Sequence, residues 1–362
     1  MSSRAPSALA ALRRLAALGL GNRLAFPEFV RLLSEVAPFD TASMLWLDPN
    51  HQPIDAYVSV DNRPELSARY GARWFNADEG RYYPTQTEMQ TNPAMGVIRV
   101  SDFTQDFSET EIYDEVYRPS RHHWIAGLAL HDGLRPIGNL GLGRPPGMAD
   151  FSDEEVRRLK VVRPYIVQAL SRGETPPPWP DRDMEDATGF LVADLQGRIV
   201  HASAGAWRLL QGASGRPATP EILYDRSQAW AQPLLLQLAR RVASALEGAR
   251  AAPARMDAVT PYGRFVVRAY ALDGDADGGV QAVGVQLEKR VPTPLKMLRS
   301  PLFRALTARE QDVAQMLGEG HTYPQIAGRL GLGPSTVVTH VRNLGQKLGV
   351  GGREEIVSAL CA

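Results

Sequence analysis

The chain holds a single cysteine, Cys361. One thiol can form neither an intrachain disulfide nor a thiolate metal site, so disulfide scaffolds and zinc-thiolate modules are excluded, and a reducing, cytoplasmic setting is expected. Net charge is absent too: 40 Lys and Arg balance 40 Asp and Glu among 362 residues. A whole-chain excess of positive charge therefore cannot argue for nucleic acid, and any such signal must be local. No run approaches the roughly 20 apolar residues of a membrane span. No acid precedes Glu28, which gives the N-terminus the look of a targeting peptide, but Arg13 and Arg14 interrupt its apolar run. An amphipathic helix with Leu9, Leu12 and Leu15 on or near one face is expected there instead.

Catalytic patterns are missing as well. Gly141-Leu142-Gly143 lacks both a P-loop lysine and a dinucleotide frame, so it reads as a turn or strand end. His122, His123 and His131 have no acid or cysteine at metal-ligand spacing, so no metal is expected. No nucleophile–base constellation stands out, and no α/β alternation with early paired acids marks a phosphoacceptor domain. The expectation is no enzyme and no cofactor; an enzyme in the front block is the competing class.

What is present is a chain of several blocks. Hydrophobic residues make up 44% and charged residues 22%, enough to fill a core in each of the two or three domains that the length suggests. In the first block, 1–172, a helical stretch near Phe29–Val36 leads to ASMLWLD and IDAYVSV, which read as a hairpin around Asp48-Pro49-Asn50. After a polar, aromatic-rich middle, WIAGLAL and IGNLGLG read as two more strands. Ser152 and Glu155 form a capping-box pattern that starts a helix near Asp153, with Val156, Leu159, Val162 and Ile166 at helical spacing. That stripe could pair with the same helix of a second subunit. A proline-rich linker, 173–185, follows. In the block 186–290, GFLVADLQGRIVHAS, PYGRFVVRAYAL and GGVQAVGVQLEK read as strands. The acidic GDADGG reads as a turn, without the closing Glu of a calcium loop. VPTPLKMLRSP, with three prolines, reads as a second linker, 291–303.

The last block, 304–362, carries the sharpest signal. Thr307 with Glu310, and Thr322 with Gln325, form two capping boxes. Gly331-Leu332-Gly333 makes a short turn, and Pro334 opens a third helix. Two short helices joined by a tight glycine-containing turn make a helix-turn-helix. On the third helix Val337, Val341, Leu344 and Leu348 form a buried stripe, while Ser335, Val338, Thr339, Arg342 and Gln346 fall on the opposite face. Between Gly320 and Arg353 there is no Asp or Glu, and the stretch holds Arg329, Arg342, Lys347 and two histidines. A surface without carboxylates does not repel phosphate, and the hydroxyls of Ser335 and Thr336 can donate to it. A small helical bundle for protein contacts is the alternative.

From Leu306 onward the chain resembles the LuxR-type DNA-binding domain, through Leu306, Thr307, Arg309, Glu310, Val313, Gly320, Ile326, Ala327, Leu330, Thr336, Val337, His340, Asn343, Lys347, Leu348 and Arg353. The resemblance implies a four-helix domain that binds double-stranded DNA as a homodimer, on an inverted repeat, with RNA polymerase as a further partner. It implies base contacts near Val338, Thr339 and Arg342 and phosphate contacts near Thr336, His340 and Lys347. The dimer contact would lie on the last helix, through Ile356, Val357 and Leu360. Three positions depart from the pattern: Gly333 stands where serine is usual, Val338 replaces a common lysine, and Gly345 inside the helix should cost about 1 kcal/mol relative to Ala.

The second block resembles a PAS domain, through GFLVADLQGRIVHASAGAWRLL and TPYGRFVVRAY. The first resembles a GAF-like domain through its two closing strands, the FSDEE turn and the long helix. The fold expected is thus multidomain α+β: two antiparallel-sheet sensor-like domains, GAF-like and PAS-like, then an all-α four-helix helix-turn-helix domain. Both front resemblances imply a pocket for a small molecule, or a dimerisation module alone. Tyr70, Trp74, Phe75, Tyr82 and Tyr83, interleaved with Arg69, Arg73, Asp78 and Arg81, are candidates for such a pocket, since ligand sites combine aromatic walls with a few polar groups. The same aromatics could plug an ordinary core. Their pattern also resembles that of acyl-homoserine-lactone receptors, which usually join one sensor directly to the DNA-binding domain, whereas here a whole block intervenes. The expected function is a DNA-binding transcription regulator with small-molecule input; a constitutive regulator whose front blocks only dimerise is the alternative.

Overall fold

A computed structural model describes residues 4–59, 64–133, 135–171, 179–180, 182–219, 229–246, 253–273 and 280–362. The chain divides into two compact units: Met1–Thr175 with Arg216–Trp230, and Pro176–Gly215 with Ala231–Ala362. Most of the proline-rich linker and the centre of GDADGG, residues 274–279, lie outside the described residues.

The first unit is built on an antiparallel sheet of five strands in the order β2-β1-β5-β4-β3. The strands are β1 (Thr41–Leu47), β2 (Pro53–Val58), β3 (Val97–Arg99), β4 (Trp124–Asp132) and β5 (Arg135–Arg144). Side chains alternate between the faces of a strand. Met44, Trp46, Ala126, Leu128, Leu140 and Leu142 are buried, and they alternate with Ser43, Leu45, Gly127, Asn139, Gly141 and Gly143. Helices α1 (Arg4–Ala17), α2 (Asn22–Val36) and α5 (Asp153–Leu170) pack together, and α5 also packs on β3 and β4. Phe26 of α2 meets Trp46 and Tyr57 edge-on, with centroids 5.0 and 5.3 Å apart, geometry that adds about 0.5–1.5 kcal/mol per pair beyond area burial.

Helix α5 begins with the expected reciprocal box: Ser152 Oγ accepts from Glu155 N, and Glu155 accepts from Ser152 N. Its Leu159, Val162 and Ile166 are buried inside their own unit. Three of the four stripe residues are thus covered within this unit, while Val156 is half-buried. The short helices α3 (Pro64–Arg69) and α4 (Gln86–Thr91) lie between β2 and β3, and a wide π-helical turn, Tyr70–Trp74, follows α3. Gly141 and Gly143 lie within β5 and not in a turn.

The second unit carries another five-stranded antiparallel sheet, order β7-β6-β10-β9-β8. It comprises β6 (Asp183–Asp194), β7 (Ile199–Ala202), β8 (Arg255–Thr260), β9 (Gly263–Asp273) and β10 (Val280–Pro292), with α6 (Ala206–Ser214) and α7 (Gln232–Leu246) packed on it. Charges cross its strands: Asp183 pairs with Arg264 and Arg290, and Glu288 with Arg268 and Arg290.

The segment 291–303, expected as a linker, is folded. It forms α8 (Thr293–Arg299) and α9 (Pro301–Arg304), with Leu295, Met297, Leu298 and Phe303 buried. Pro294 and Pro301 sit in first turns, where a missing N–H costs little, and Pro292 ends β10 as the N-cap residue of α8. Asp186 of β6 is paired with Arg299 of α8, and Lys296 donates to Glu185 O at 3.0 Å. Four helices follow: α10 (Ala308–Gly318), α11 (Tyr323–Leu330), α12 (Pro334–Leu348) and α13 (Arg353–Cys361). Among the described residues no helix is long and apolar enough to cross a membrane.

Candidate functional site

The four terminal helices are fixed by local chemistry. Thr307 and Glu310 form a complete capping box on α10, and Thr322 and Gln325 form another on α11. Gly331, at φ 62°, turns the chain between α11 and α12. Only a residue without Cβ adopts that conformation freely. Val337, Val341 and Leu344 seat α12, whereas Leu348 is only partly buried.

The outer side of α12 is open. Ser335, Thr336, Val338, Thr339, Arg342, Asn343 and Lys347 are exposed, and His340 is half-buried. Thr339 Oγ1 donates to Ser335 O at 3.0 Å, which leaves its lone pairs facing outward. Arg342 has no hydrogen-bond partner among the described residues, so its planar fork of donors is available. Lys347, by contrast, is ion-paired with Glu310. Burial works against ionisation of Glu310, but Lys347 and Thr307 hold its carboxyl below the usual range.

Gly345 is accounted for by a close approach. The chain doubles back after α12, and Val350 N donates to Gly345 O at 2.9 Å. A Cβ at Gly345 would stand 2.6 Å from Val350 O. Ile356, Val357 and Leu360 of α13 are buried in their own chain, where α13 packs against α8, α10 and α12. In this arrangement the three side chains expected at a dimer contact are already covered. The exposed residues of α13 are Glu354, Glu355 and Ser358.

A second candidate lies in the first unit. A cavity of about 410 Å³ opens over the sheet, floored by Ser43, Gly127, Asn139, Gly141 and Gly143 and walled by Tyr70, Phe75, Tyr83 and Tyr117. Of the five aromatics expected at a pocket, Tyr70, Phe75 and Tyr83 line it. Trp74 and Tyr82 do not: Trp74 is fully buried in an aromatic core cluster with Tyr82 packed against it, and its indole N–H donates to Glu115 at 3.0 Å. The sequence reading missed Tyr117, Gln86, Asn139 and His122, which reach the cavity from distant segments, and the glycine floor. The Leu/Gly alternation of Asn139–Gly143 was the available signal for that floor.

Behind the wall lies Glu79, fully buried. It accepts from Tyr70 OH, from Asn76 N at 2.9 Å and from Gln86 N at 3.1 Å, with Tyr83 OH at 3.4 Å. Burial raises its pKa, against these donors. Gln86 Nε2 donates to Tyr70 OH, and Asn139 Nδ2 to Gln86 Oε1, each at 2.9 Å. His122 meets Thr41 Oγ1, and burial lowers its pKa to about 4, against the pull of Asp40, so it is neutral at pH 7. The three histidines have separate partners, His123 with Tyr113 and His131 with Arg163. Among the described residues no group of three His, Cys, Asp or Glu could hold a metal ion.

Comparison with known proteins bears on the helical end of the chain. Residues 304–360 match the family described as "Bacterial regulatory proteins, luxR family". The chain is 48% identical over 52 residues to the HTH-type transcriptional regulator MalT of Serratia proteamaculans, covering 14% of this chain and 6% of that protein. It is 34% identical over 84 residues to the "Probable transcriptional regulatory protein NarL" of Mycobacterium tuberculosis, covering 23% and 39%. The chain thus spans well under half the length of either relative. Among solved structures, the VqsR LBD domain of Pseudomonas aeruginosa aligns at 17% identity over 45% of this chain and 93% of that one, with a TM-score of 0.31. A Vibrio cholera VqmA-ligand-DNA complex aligns at 17% identity over 48% and 81%, with a TM-score of 0.25. Those scores do not establish a shared fold. The identity rests on the C-terminal helices: residues 304–360 are a helix-turn-helix domain of the luxR family of bacterial regulatory proteins.

Proposed function

We propose that the chain is a sequence-specific transcription regulator that docks α12 in the major groove of DNA and responds to a small molecule held in the first unit. The carrying observation is the outer face of α12, which is free of carboxylates and bears the unpartnered Arg342 fork beside small hydroxyl residues. Val338, Thr339 and Arg342 face the bases, Ser335, Thr336, His340 and Lys347 meet phosphates, and Asn343 completes the DNA-binding face. Small side chains at the N-terminal end let the duplex approach, where a recognition helix reads base edges.

The chain acts as a homodimer on an inverted repeat, since protein two-fold symmetry is mirrored in the operator, and it contacts RNA polymerase from DNA. The two sheet-bearing blocks serve as GAF-like and PAS-like modules. The cavity with its aromatic wall and buried polar network supports sensing over dimerisation alone, because a concave apolar site with a few convergent polar groups is the shape of a ligand site. A ligand changes operator affinity only by its differential affinity for two arrangements of the chain, and a coupling of about 1–3 kcal/mol suffices for a switch.

The test is Arg342→Ala on an operator selected from random duplexes. Specific binding should weaken by about 1–3 kcal/mol if Arg342 reads a guanine. Binding to operator and random DNA both as in wild type would remove α12 as the docking face.

A further inference from the structure

The cavity of the first unit also has a charge character, and it points to the class of ligand. Among the described residues that line it there is no Lys or Arg. Asp55, a buried lining residue, is already paired with Arg23. His122 is neutral at pH 7. Glu79, immediately behind the wall, has donors but no ion pair among the described residues.

A carboxylate can only accept hydrogen bonds, so it sets the direction of every hydroxyl around it. Tyr70 donates to Glu79. Tyr83 OH lies 3.4 Å from Glu79 Oε2 and 2.7 Å from Tyr117 OH. If Tyr83 gives its proton to Glu79, Tyr117 must give its own to Tyr83. The hydroxyl hydrogens of the wall then point away from the cavity, towards the carboxylate. At this wall a ligand then meets phenolic oxygen lone pairs and the aromatic rings of Tyr70, Phe75 and Tyr117. An anion entering this space meets no described cation to offset its desolvation. A cation meets acceptors, aromatic faces with a negative quadrupole and a buried negative charge behind them.

We propose that the cavity binds a small ligand carrying a protonated amine on an apolar body, with the ammonium at the Tyr70–Tyr117 wall and the apolar part over the glycine floor. The inference rests on the reading of this cavity as a ligand site.

Three probes of similar shape separate the possibilities by isothermal titration into the full-length protein at pH 7: 2-phenylethylamine, 2-phenylethanol and phenylacetate. The amine should bind at least tenfold more tightly than the alcohol, with phenylacetate weakest. Glu79→Gln should reduce the amine's advantage to threefold or less, with its melting temperature recorded beside the wild type. Phe75→Leu removes an aromatic ring that packs edge-on against Tyr70 but takes away no hydrogen bond of the buried network, and it should weaken the amine more than the alcohol. Equal binding of amine and alcohol, or tighter binding of phenylacetate, overturns the cationic assignment and leaves the cavity as a ligand site. Binding of none of the three also overturns the assignment. Native mass spectrometry of the purified protein then decides the fate of the ligand site itself, which falls if no small molecule is retained.

Discussion

Lys347, on the open side of α12, is ion-paired with Glu310, the acid that caps α10. The lysine anchors α12 to the start of the bundle and stays half exposed on the face proposed to meet phosphates. Replacing it by Ala should weaken operator and random DNA alike and lower the slope of log affinity against log salt by about 1. It should also cost about 1 kcal/mol of stability, because Glu310 loses a charged partner while staying mostly buried. A salt titration and a denaturant melt read the two effects separately. An unchanged salt slope would remove Lys347 from the phosphate contacts.

Gly345→Ala tests the fold-back after α12. Helix propensity alone favours Ala by about 1 kcal/mol. The 2.6 Å approach of Val350 O to the new Cβ reverses the sign. The variant should melt lower than wild type, by an amount equivalent to about 1–3 kcal/mol, the usual range for overpacking. A higher melting temperature would show that the turn after α12 can open without cost.

Ile356 of α13 is fully buried, so Ile356→Glu should unfold the terminal bundle before it reports on any dimer. An uncompensated buried charge is among the few single changes that cost 4 kcal/mol or more. Ser358→Glu, on the exposed side, should leave the melt unchanged. Normal folding of Ile356→Glu would mean that α13 leaves its seat against α8 in solution.

His122 couples stability to pH. Its folded pKa is lowered to about 4, and burial is the main cause. In the unfolded chain an ordinary histidine takes up a proton near pH 6.5. Between these values the unfolded state binds more protons, so this contribution is fully present above about pH 6.5 and is lost as pH falls toward 4. The loss should be on the order of 3 kcal/mol. His122→Gln should flatten the pH dependence of the denaturation midpoint over that window, and a profile superimposable on wild type would exclude the effect.

Much of the helical architecture could be read directly, because a capping box is a relation between residues three apart. Ser152 with Glu155, Thr307 with Glu310 and Thr322 with Gln325 all form as written. The exposed and buried sides of α12 were legible for the same reason. Relations over long distances were not. Pro292, Pro294 and Pro301 suggested a linker, because a proline's place at the start of a helix depends on helices whose apolar residues bury against other elements. The aromatic cluster near Tyr70 was visible, but its division was not: Trp74 faces the core and Tyr70 the cavity, and that choice is made by Glu115 and Glu79 and not by spacing. The burial of Ile356, Val357 and Leu360 within their own chain was not legible, because α8, which packs against α13, was read as unstructured.

The floor of the cavity is made of missing side chains. On β4 and β5, Gly127, Gly141 and Gly143 alternate with leucines and alanines that face away. The volume available to a guest is therefore encoded one methyl at a time, at positions that leave the opposite face of the sheet untouched. Yet the three sites are not equivalent. A Cβ at Gly127 would meet the end of the Met89 side chain at 2.9 Å, which can swing aside, whereas one at Gly143 would press on Thr41 and His122, at 2.6 and 2.8 Å. A lineage or a designer could narrow this site at its Met89 end by single substitutions, while the His122 end resists revision.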